Sequence, residues 1–247
     1  MRNLSLQPLY ELATNGTVFD KILFLNDVVF DTEDFRTLLN TNQGHYGAAC
    51  SLDFSKPPDF YDTFALRDAE GHEPLMMTWP YFRARKSREA MKANGPVPVV
   101  GCWNGMVVMD AAPFYDSKNP LRFRGVPDSL AKSHVEGSEC CLIYADNPLA
   151  KESGIWVNPR VRVGYNDAAY RRMSPLLYND WLSSFRIFSK LWENRLRRWF
   201  TSTWFKEREM RRRVEAWSSG AAGRVERGVY CLVNEMQVVV ANGWAHV

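Results

Sequence analysis

The sequence lacks a long apolar run. No stretch of about eighteen apolar residues occurs in its 247 residues, so the pattern predicts no bilayer-spanning helix. The first residues, MRNLSLQPLYELATNG, also lack the apolar segment of a signal peptide. The sequence also has little excess of one charge over the other, because it contains 31 Lys and Arg and 28 Asp and Glu. The formal net charge of +3 is too small to predict a chain that binds nucleic acid as a whole.

Cysteine is sparse, and its spacing excludes a familiar zinc site. The five cysteines include no CxxC pair and no Cys/His ligand spacing; they are Cys50, Cys102, Cys140, Cys141 and Cys231. Cys50 and Cys102 lie in apolar, strand-like surroundings where buried free thiols are common, and we expect both to be free thiols. In an oxidising compartment Cys231 would have either Cys140 or Cys141 as a partner.

A carboxylate ends the most distinctive strand pattern. In DKILFLNDVVF, residues 20–30, the apolar run from Ile22 to Leu25 is followed by Asn26 and Asp27. Ligands of open α/β sheets bind just beyond the carboxyl ends of the strands, so the pattern predicts a buried strand that brings Asp27 to a ligand. The alternative is that Asp27 caps the following turn.

Helical and strand patterns alternate along the chain and predict an α/β fold. The predicted helices span 2–13, 32–40 (with Thr32 as its cap), 84–94 and 135–146, and the predicted strands span 21–30, 45–52, 97–109 and 155–163. The third strand is interrupted by Cys102-Trp103-Asn104-Gly105. Residues 53–82 contain four prolines and predict a long loop-rich excursion of the kind that usually serves function.

A basic, aromatic segment covers residues 178–217. It holds ten Lys or Arg and five Asp or Glu, and its apolar residues recur at three- and four-residue spacings: Trp181, Phe185, Phe188, Leu191, Trp192, Leu196, Trp199 and Phe200. This periodicity predicts an amphipathic helix whose apolar stripe packs on the domain while its arginines face solvent. The alternative is peripheral contact with an anionic membrane surface. No nucleic-acid-binding motif accompanies the segment.

Several long strings resemble one family. They are HYGAACSLDFSKPPDFYDTFALRDAEG at 45–71, PVPVVGCWNGMVVMDAAPFY at 96–115 and LRFRGVPDSLAKSHVEGSECCLIYADNP at 121–148. Together with FLNDVVF they resemble the fungal capsule-associated glycosyltransferases related to cryptococcal α-1,3-mannosyltransferase. The resemblance covers about residues 2–170 and returns at 231–244.

The resemblance implies a fold and a location. It implies an α/β domain of the GT-A type, which is a Rossmann-like glycosyltransferase fold, on the lumenal side of the Golgi membrane. Relatives carry an anchor, a stem and several strands before the FLND-like strand. We therefore expect 1–175 to be the C-terminal part of a GT-A-like catalytic domain, 176–228 a basic amphipathic helical segment, and 229–247 strands that return to the domain.

The resemblance also implies a donor site with a divalent metal, Mn²⁺. Sugar transfer from a nucleotide diphosphate needs the leaving diphosphate neutralised, and carboxylates usually hold the metal that does so. Asp27 matches the last acid of the family's metal-binding motif, while Leu25 stands in the first acid's place. The predicted donor contacts are Asn26, Asp27, Arg67 and Asp68. For Arg67 the alternative is a surface ion pair with Asp68 or Asp62.

For the acceptor glycan, the resemblance implies contacts on the other side of the sheet. Glu139 is the predicted catalytic or acceptor-orienting acid, although a carboxylate at a helix start is also stabilised by the helix dipole alone. The predicted acceptor contacts are Asp62 and the strand break at Trp103, Asn104 and Gly105, where an aromatic face, an amide and a close backbone approach suit a sugar. A bulge in a core strand is the alternative explanation of the break.

The function implied by the resemblance is mannosyl transfer. We expect a metal-dependent enzyme that moves mannose from GDP-mannose to a mannose-containing acceptor in an α-1,3 linkage, during capsule or cell-wall polysaccharide synthesis. The alternative, from a different class, is a truncated, non-catalytic acceptor-binding or scaffold remnant of that family.

Overall fold

A computed structural model describes residues 2–174, 183–235, 237–240 and 243–246. Its helices are α1 (Arg2–Ser5), α2 (Gln7–Thr14), α3 (Thr32–Leu39), α4 (Arg85–Lys92), α5 (Asp128–Ala131), α6 (Glu139–Asp146), α7 (Leu149–Glu152), α8 (Asp167–Met173), α9 (Ser184–Phe200) and α10 (Trp204–Ser219). Its strands are β1 (Lys21–Leu25), β2 (Ala48–Lys56), β3 (Asp59–Phe60), β4 (Arg67–Asp68), β5 (Val97–Gly101), β6 (Met106–Asp110), β7 (Glu136–Gly137), β8 (Ile155–Gly164), β9 (Leu232–Val233), β10 (Gln237–Val240) and β11 (Gly243–His246).

Seven strands form one mixed sheet in the order β1-β6-β2-β8-β5-β4, and β3 pairs with β2. β2 and β8 are parallel, and the other neighbouring pairs are antiparallel. It follows that β1, β2, β8 and β4 run in one direction. The carboxyl ends of β1, β2 and β8 therefore lie at the same end of the sheet. The mixed α/β class that the sequence pattern predicts is confirmed.

Helices cover both faces of the sheet. Side chains along a strand point alternately to opposite faces, and β2 accordingly contributes Cys50, Leu52 and Phe54 to one apolar cluster and Ala49 to another. The helices α3 and α8 contact β8, whereas α4 and α6 contact β5. β2 and β8 are therefore the central, most deeply buried strands.

β1 lies at the edge of this sheet, which differs from the buried strand that its apolar run predicts. Its residues pair with β6 from Lys21↔Asp110 to Leu25↔Met106. Leu23 and Leu25, which share one face of the strand, are exposed. No strand in the described part of the chain pairs with the other edge of β1. The strand also stops at Leu25 rather than at Phe30: the Asn26 amide makes the last hydrogen bond in register, to the Gly105 carbonyl, and the Val28 amide then turns back to the Asn26 carbonyl.

The predicted strand 97–109 is two strands that are not neighbours. β8 and β2 lie between β5 and β6 in the sheet, so residues 102–105 connect them by crossing both strands. A disulfide between Cys102 and Cys50 fixes this crossing to β2. The expectation that Cys50 and Cys102 are free thiols is therefore wrong: the crossing brings their Cα atoms to 6.3 Å, within the range that a disulfide spans.

A second disulfide attaches the C-terminal part of the chain. Cys231 pairs with Cys141, leaving Cys140 as a buried free thiol. β9 follows directly and pairs with β7 in the register Glu136↔Val233. β10 and β11 pair with each other.

The basic segment forms two helices, α9 and α10, rather than the one helix that its periodicity predicts. Residues 178–182, the start of the predicted helix, lie outside the described residues. α10 buries Met210, Val214 and Trp217 against the core. α9 does the opposite of what its periodicity predicts: its aromatic residues, including Trp192, face solvent. None of the helices in the described part of the chain has the length and apolar character to cross a bilayer.

Candidate functional site

The segment after β1 crosses the carboxyl end of the sheet. The Asn26 amide donates to the Gly105 carbonyl at 2.9 Å, and Val29 exchanges two backbone hydrogen bonds with Gly164 at the end of β8, at 2.7 and 3.2 Å. Between these anchors Asn26 is half-buried and Asp27 is exposed. Asn26 and Asp27 therefore occupy the end of the sheet where ligands of α/β proteins bind.

Asn104 and Gly105 pack tightly against this segment. Gly105 has a φ of +69°, and a Cβ atom there would overlap the side chain of Val163 and lie 3.2 Å from Asp53 Cβ, so only glycine fits. The Asn104 Nδ2 donates to the Asp62 carbonyl at 2.6 Å. The buried Oδ1 of Asn104 has no hydrogen-bond partner among the described residues.

Asp53 is a buried carboxylate in the second half of β2. It is 0% exposed. Its Oδ2 accepts from the Tyr165 hydroxyl at 3.1 Å, and its Oδ1 accepts from the Asp62 amide at 3.2 Å. Burial, followed by the negative charge of Asp62, raises the pKa of Asp53 to about 7. The Asn26 side chain also interacts with the Tyr165 hydroxyl, so Asp53 and the segment that carries Asp27 both adjoin Tyr165.

The raised pKa of Asp53 makes stability depend on pH. The pKa is about 7 in the folded chain and 3.8 for an ordinary aspartate, so the folded state binds the proton more tightly between those values. The free energy of unfolding should therefore fall as pH rises from about 4 to about 7, by on the order of 4 kcal/mol from this group. Urea unfolding between about pH 4.5 and pH 8 measures the slope.

The matched variants are Asp53→Asn and Asp20→Asn. An amide at position 53 can bond to both Tyr165 and Asp62 without titrating, so Asp53→Asn should flatten the slope and be more stable than the wild type at about pH 8. Asp20 is an exposed acid just before β1, and its substitution should leave the slope unchanged. A wild-type slope that survives in Asp53→Asn would assign the pH dependence to another group.

Arg2 joins two predicted site residues, Asp62 and Glu139. It forms an ion pair with Glu139 at the first turn of α6. Burial raises the pKa of Asp62, while backbone hydrogen bonds and the charge of Arg2 act in the opposite direction. The Glu139 side chain is 42% exposed, so its carboxylate stays accessible to a ligand. The contacts thus run from Asn26 through Gly105 and Asn104 to Asp62, Arg2 and Glu139.

Trp103 belongs to the core. It is 4% exposed, and its ring packs on Phe24 and Phe123 with centroids 5.2 and 5.6 Å apart. The Arg2 guanidinium carbon lies 5.0 Å from its ring centroid. The expectation that Trp103 stacks on a sugar is not supported, because the ring is already covered. Asn104 and Gly105 are also buried, so these residues shape the site rather than present a surface to an acceptor.

Arg67 and Asp68 do not reach this end of the sheet, contrary to the predicted donor contacts. Their strand, β4, is at the opposite edge from β1, five strand spacings or roughly 24 Å away. Arg67 donates to the backbone carbonyls of Phe64, Leu66 and Tyr230. Asp68 accepts from the amides of residues 70, 72 and 84. Both side chains therefore organise loops.

Asp27 is the residue on which a metal site at this end of the sheet would depend. The described residues contain no group of three His, Cys, Asp or Glu side chains that would hold a metal by themselves. Asp27 is an exposed carboxylate next to the Asn26 amide. Cations at phosphate-transfer sites are commonly held by one or two carboxylates and by the substrate phosphates. Asp27 therefore fits a divalent cation that takes most of its ligands from a bound diphosphate.

Arg2, Asp53 and Tyr165 belong to this constellation but are absent from the predicted site. Asp53 had a detectable signal, since it interrupts the apolar run AACSLDF much as Asp27 ends its own. Tyr165 follows β8 directly, at the same end of the sheet. Arg2 gives no local signal, because a helix 137 residues before Glu139 is brought to it only by the fold.

One family model matches the chain. Its description is cryptococcal mannosyltransferase 1, and it covers residues 1–146, which include β1, the crossing at 102–105 and Glu139. No curated protein and no solved structure matches the chain.

Proposed function

This chain belongs to the cryptococcal mannosyltransferase 1 family, whose model covers more than half of it, and we propose that it transfers mannose from GDP-mannose to a mannose-containing glycan in an α-1,3 linkage. Membership confirms the family resemblance of the strings around FLNDVVF and supports a glycosyltransferase at a coarse level. Donor, linkage and metal dependence are our proposal.

The observation that carries the proposal is the grouping of polar side chains at one end of the sheet. Asn26 and Asp27 lie where a nucleotide-sugar would sit in an open α/β sheet. The Tyr165 hydroxyl, which donates a hydrogen bond to Asp53, also interacts with the Asn26 side chain. Glu139, a partly exposed carboxylate, is joined to this group through Arg2, whose charge also acts on Asp62.

On the donor side, Asp27 would bind the diphosphate end of GDP-mannose together with Mn²⁺. The cation, when bound, neutralises charge that develops on the leaving oxygen. The role of the protein is to fix Asp27: the backbone bonds of Asn26 and Val29 anchor the segment on both sides of it. Preorganised charge of this kind costs little reorganisation during the reaction.

On the acceptor side, Glu139 would accept a hydrogen bond from the attacking hydroxyl. Arg2 holds the carboxylate in place through their ion pair. An α-linked product formed from an α-linked donor retains configuration, so Glu139 needs only to orient the hydroxyl and stabilise charge, and a strong general base is not required.

The two disulfides support a location in the secretory pathway. Cys50–Cys102 and Cys141–Cys231 both lie within the described fold. Disulfides persist in oxidising compartments and are rare in the cytosol. We therefore propose that the chain works in the lumen of the Golgi, where mannose-containing glycans would be its acceptors.

Titration calorimetry and a transfer assay test the proposal. The 247-residue chain would be titrated with GDP in the presence and absence of Mn²⁺, then incubated with labelled GDP-mannose and an α-mannobiose acceptor. Binding of GDP that strengthens with Mn²⁺ and a new α-1,3 linkage by NMR are the results that support the proposal, with UDP-glucose as the donor control. A folded chain that binds mannobiose but neither GDP nor GDP-mannose would instead favour the non-catalytic acceptor-binding alternative.

A further inference from the structure

The helix α9 turns its aromatic side toward solvent. Asn194 is 1% exposed, whereas the apolar side chains at three- and four-residue spacings are between 43% and 81% exposed: Phe185, Phe188, Trp192, Leu196, Trp199 and Phe200. A stripe of this kind normally faces the core of a protein. In α9 it forms an outer surface.

Specific polar contacts fix this orientation. On the inner side of the helix, Asn194 donates to the Phe82 carbonyl at 3.3 Å, and Arg198 donates to the Asn194 side chain at 3.0 Å. At the end of the helix, Arg83 donates to the carbonyl and hydroxyl of Thr201 at 3.0 and 2.7 Å. Rotating the aromatic stripe inward would break these bonds, so the exposure follows from the packing of α9 on residues 76–83.

The corner between α9 and α10 extends the aromatic surface. α9 ends at Phe200 and α10 begins at Trp204. Trp204 is 48% and Phe205 is 75% exposed. We call the exposed set the aromatic face: Phe185, Phe188, Trp192, Leu196, Trp199, Phe200, Trp204 and Phe205.

Cationic side chains border the aromatic face. The Arg195 guanidinium carbon lies 4.8 Å from the Trp192 ring centroid, and that of Arg208 lies 4.8 Å from the Trp204 ring centroid. Residues 184–219 contain ten Lys or Arg and four Asp or Glu. Three of these four acids, Glu193, Glu207 and Glu209, form ion pairs with cations of the same helices. The surface around the aromatic face is therefore strongly positive.

We propose that the aromatic face docks on an anionic membrane surface. Phe and Trp side chains enter the boundary between headgroups and acyl chains, while Arg and Lys alongside them reach the lipid phosphates. The positive charge favours an anionic membrane over a second copy of the chain as the partner of the aromatic face, because two copies would bring like charges together. α9 would lie in the plane of the membrane, with the corner at residues 200–205 inserted.

Flotation with lipid vesicles tests the proposal on the whole 247-residue chain. We expect at least about tenfold tighter binding to vesicles of phosphatidylcholine with about 30% of an anionic inositol sphingolipid, a lipid class that a lumenal leaflet can carry, than to phosphatidylcholine alone, and weakening by salt. The double variant Phe200→Ser and Phe205→Ser should bind at least about tenfold more weakly. The matched control is Val18→Ser with Phe19→Ser, which replaces two exposed apolar residues outside the aromatic face and should bind like the wild type.

A local probe keeps the test independent of variant stability. An environment-sensitive dye on Phe200→Cys should shift its emission to the blue with anionic vesicles, whereas the dye on Phe19→Cys should not. Three results overturn the proposal: vesicle binding that the Phe200/Phe205 variant retains, self-association that this variant abolishes without any vesicle binding, or binding of single-stranded RNA through the aromatic face with no affinity for vesicles.

Discussion

Replacing Cys141 and Cys231 together with serine is expected to lower the free energy of unfolding by about 4 kcal/mol. The bond joins residues 90 positions apart, and a link across so long a loop restricts the unfolded chain strongly. It also holds the turn at Val229–Cys231, where the Tyr230 carbonyl accepts from the buried Arg67 at 2.7 Å. Urea unfolding without a reducing agent measures the loss.

The neighbouring Cys140 provides the control. It is buried like Cys141 but is a free thiol, so Cys140→Ser changes a similar environment without removing a cross-link. We expect it to cost less than about 1.5 kcal/mol. The wild type should also lose stability when dithiothreitol is added, and the double variant should lose less. Equal stability of the wild type and the double variant would show that the Cys141–Cys231 bond does not constrain the unfolded chain.

Local sequence signals predict the element boundaries well where the contacts are themselves local. The helix predicted at 32–40 is observed at Thr32–Leu39, and its cap is Asp31 rather than Thr32. Asp31 accepts from the Glu33 amide at 2.9 Å, while Asp34 accepts from the Asp31 amide at 3.0 Å. All of these contacts lie within four residues, so the sequence contains the information needed to place the helix.

Sheet position is set by distant contacts, and there the sequence pattern is insufficient. The apolar run of β1 predicts a strand but not that it pairs with β6 on one edge alone. The sequence predicts the position of the break at 102–105. It does not predict that the break crosses β8 and β2, because this depends on which strands become neighbours. The disulfide from Cys50 to Cys102 is a consequence of that crossing, which is why local apolar surroundings wrongly suggested free thiols.

Periodicity identifies the two sides of α9 without indicating which side faces the protein. The periodicity predicts that the aromatic stripe packs inward, because burying apolar surface is usually favourable. The loop at 76–83 instead offers polar groups, such as the Phe82 carbonyl and Arg83, that bond to Asn194 and Thr201. The orientation of a helix therefore depends on the chemistry of the surface that receives it.

For the proposed activity, Asp27→Ala is expected to lower mannosyl transfer at least about a hundredfold, because removal of a group that stabilises developing charge has effects of that size. Mn²⁺ should no longer strengthen GDP binding, since the variant lacks the carboxylate proposed to share the cation with the diphosphate. The fold should be unaffected, because Asp27 is exposed and the backbone bonds of Asn26 and Val29 do not involve its side chain.

Asp20→Ala is the matched control for Asp27→Ala. Asp20 and Asp27 are exposed acids that flank the same strand, but Asp20 precedes β1 and so lies at the opposite end of the sheet. Equal net charge in the two variants removes long-range electrostatics as an explanation of any difference between them. Transfer should therefore fall in Asp27→Ala alone. Wild-type activity in Asp27→Ala would remove the assignment of the donor site to the end of β1, while equal losses in both variants would indicate a general charge effect.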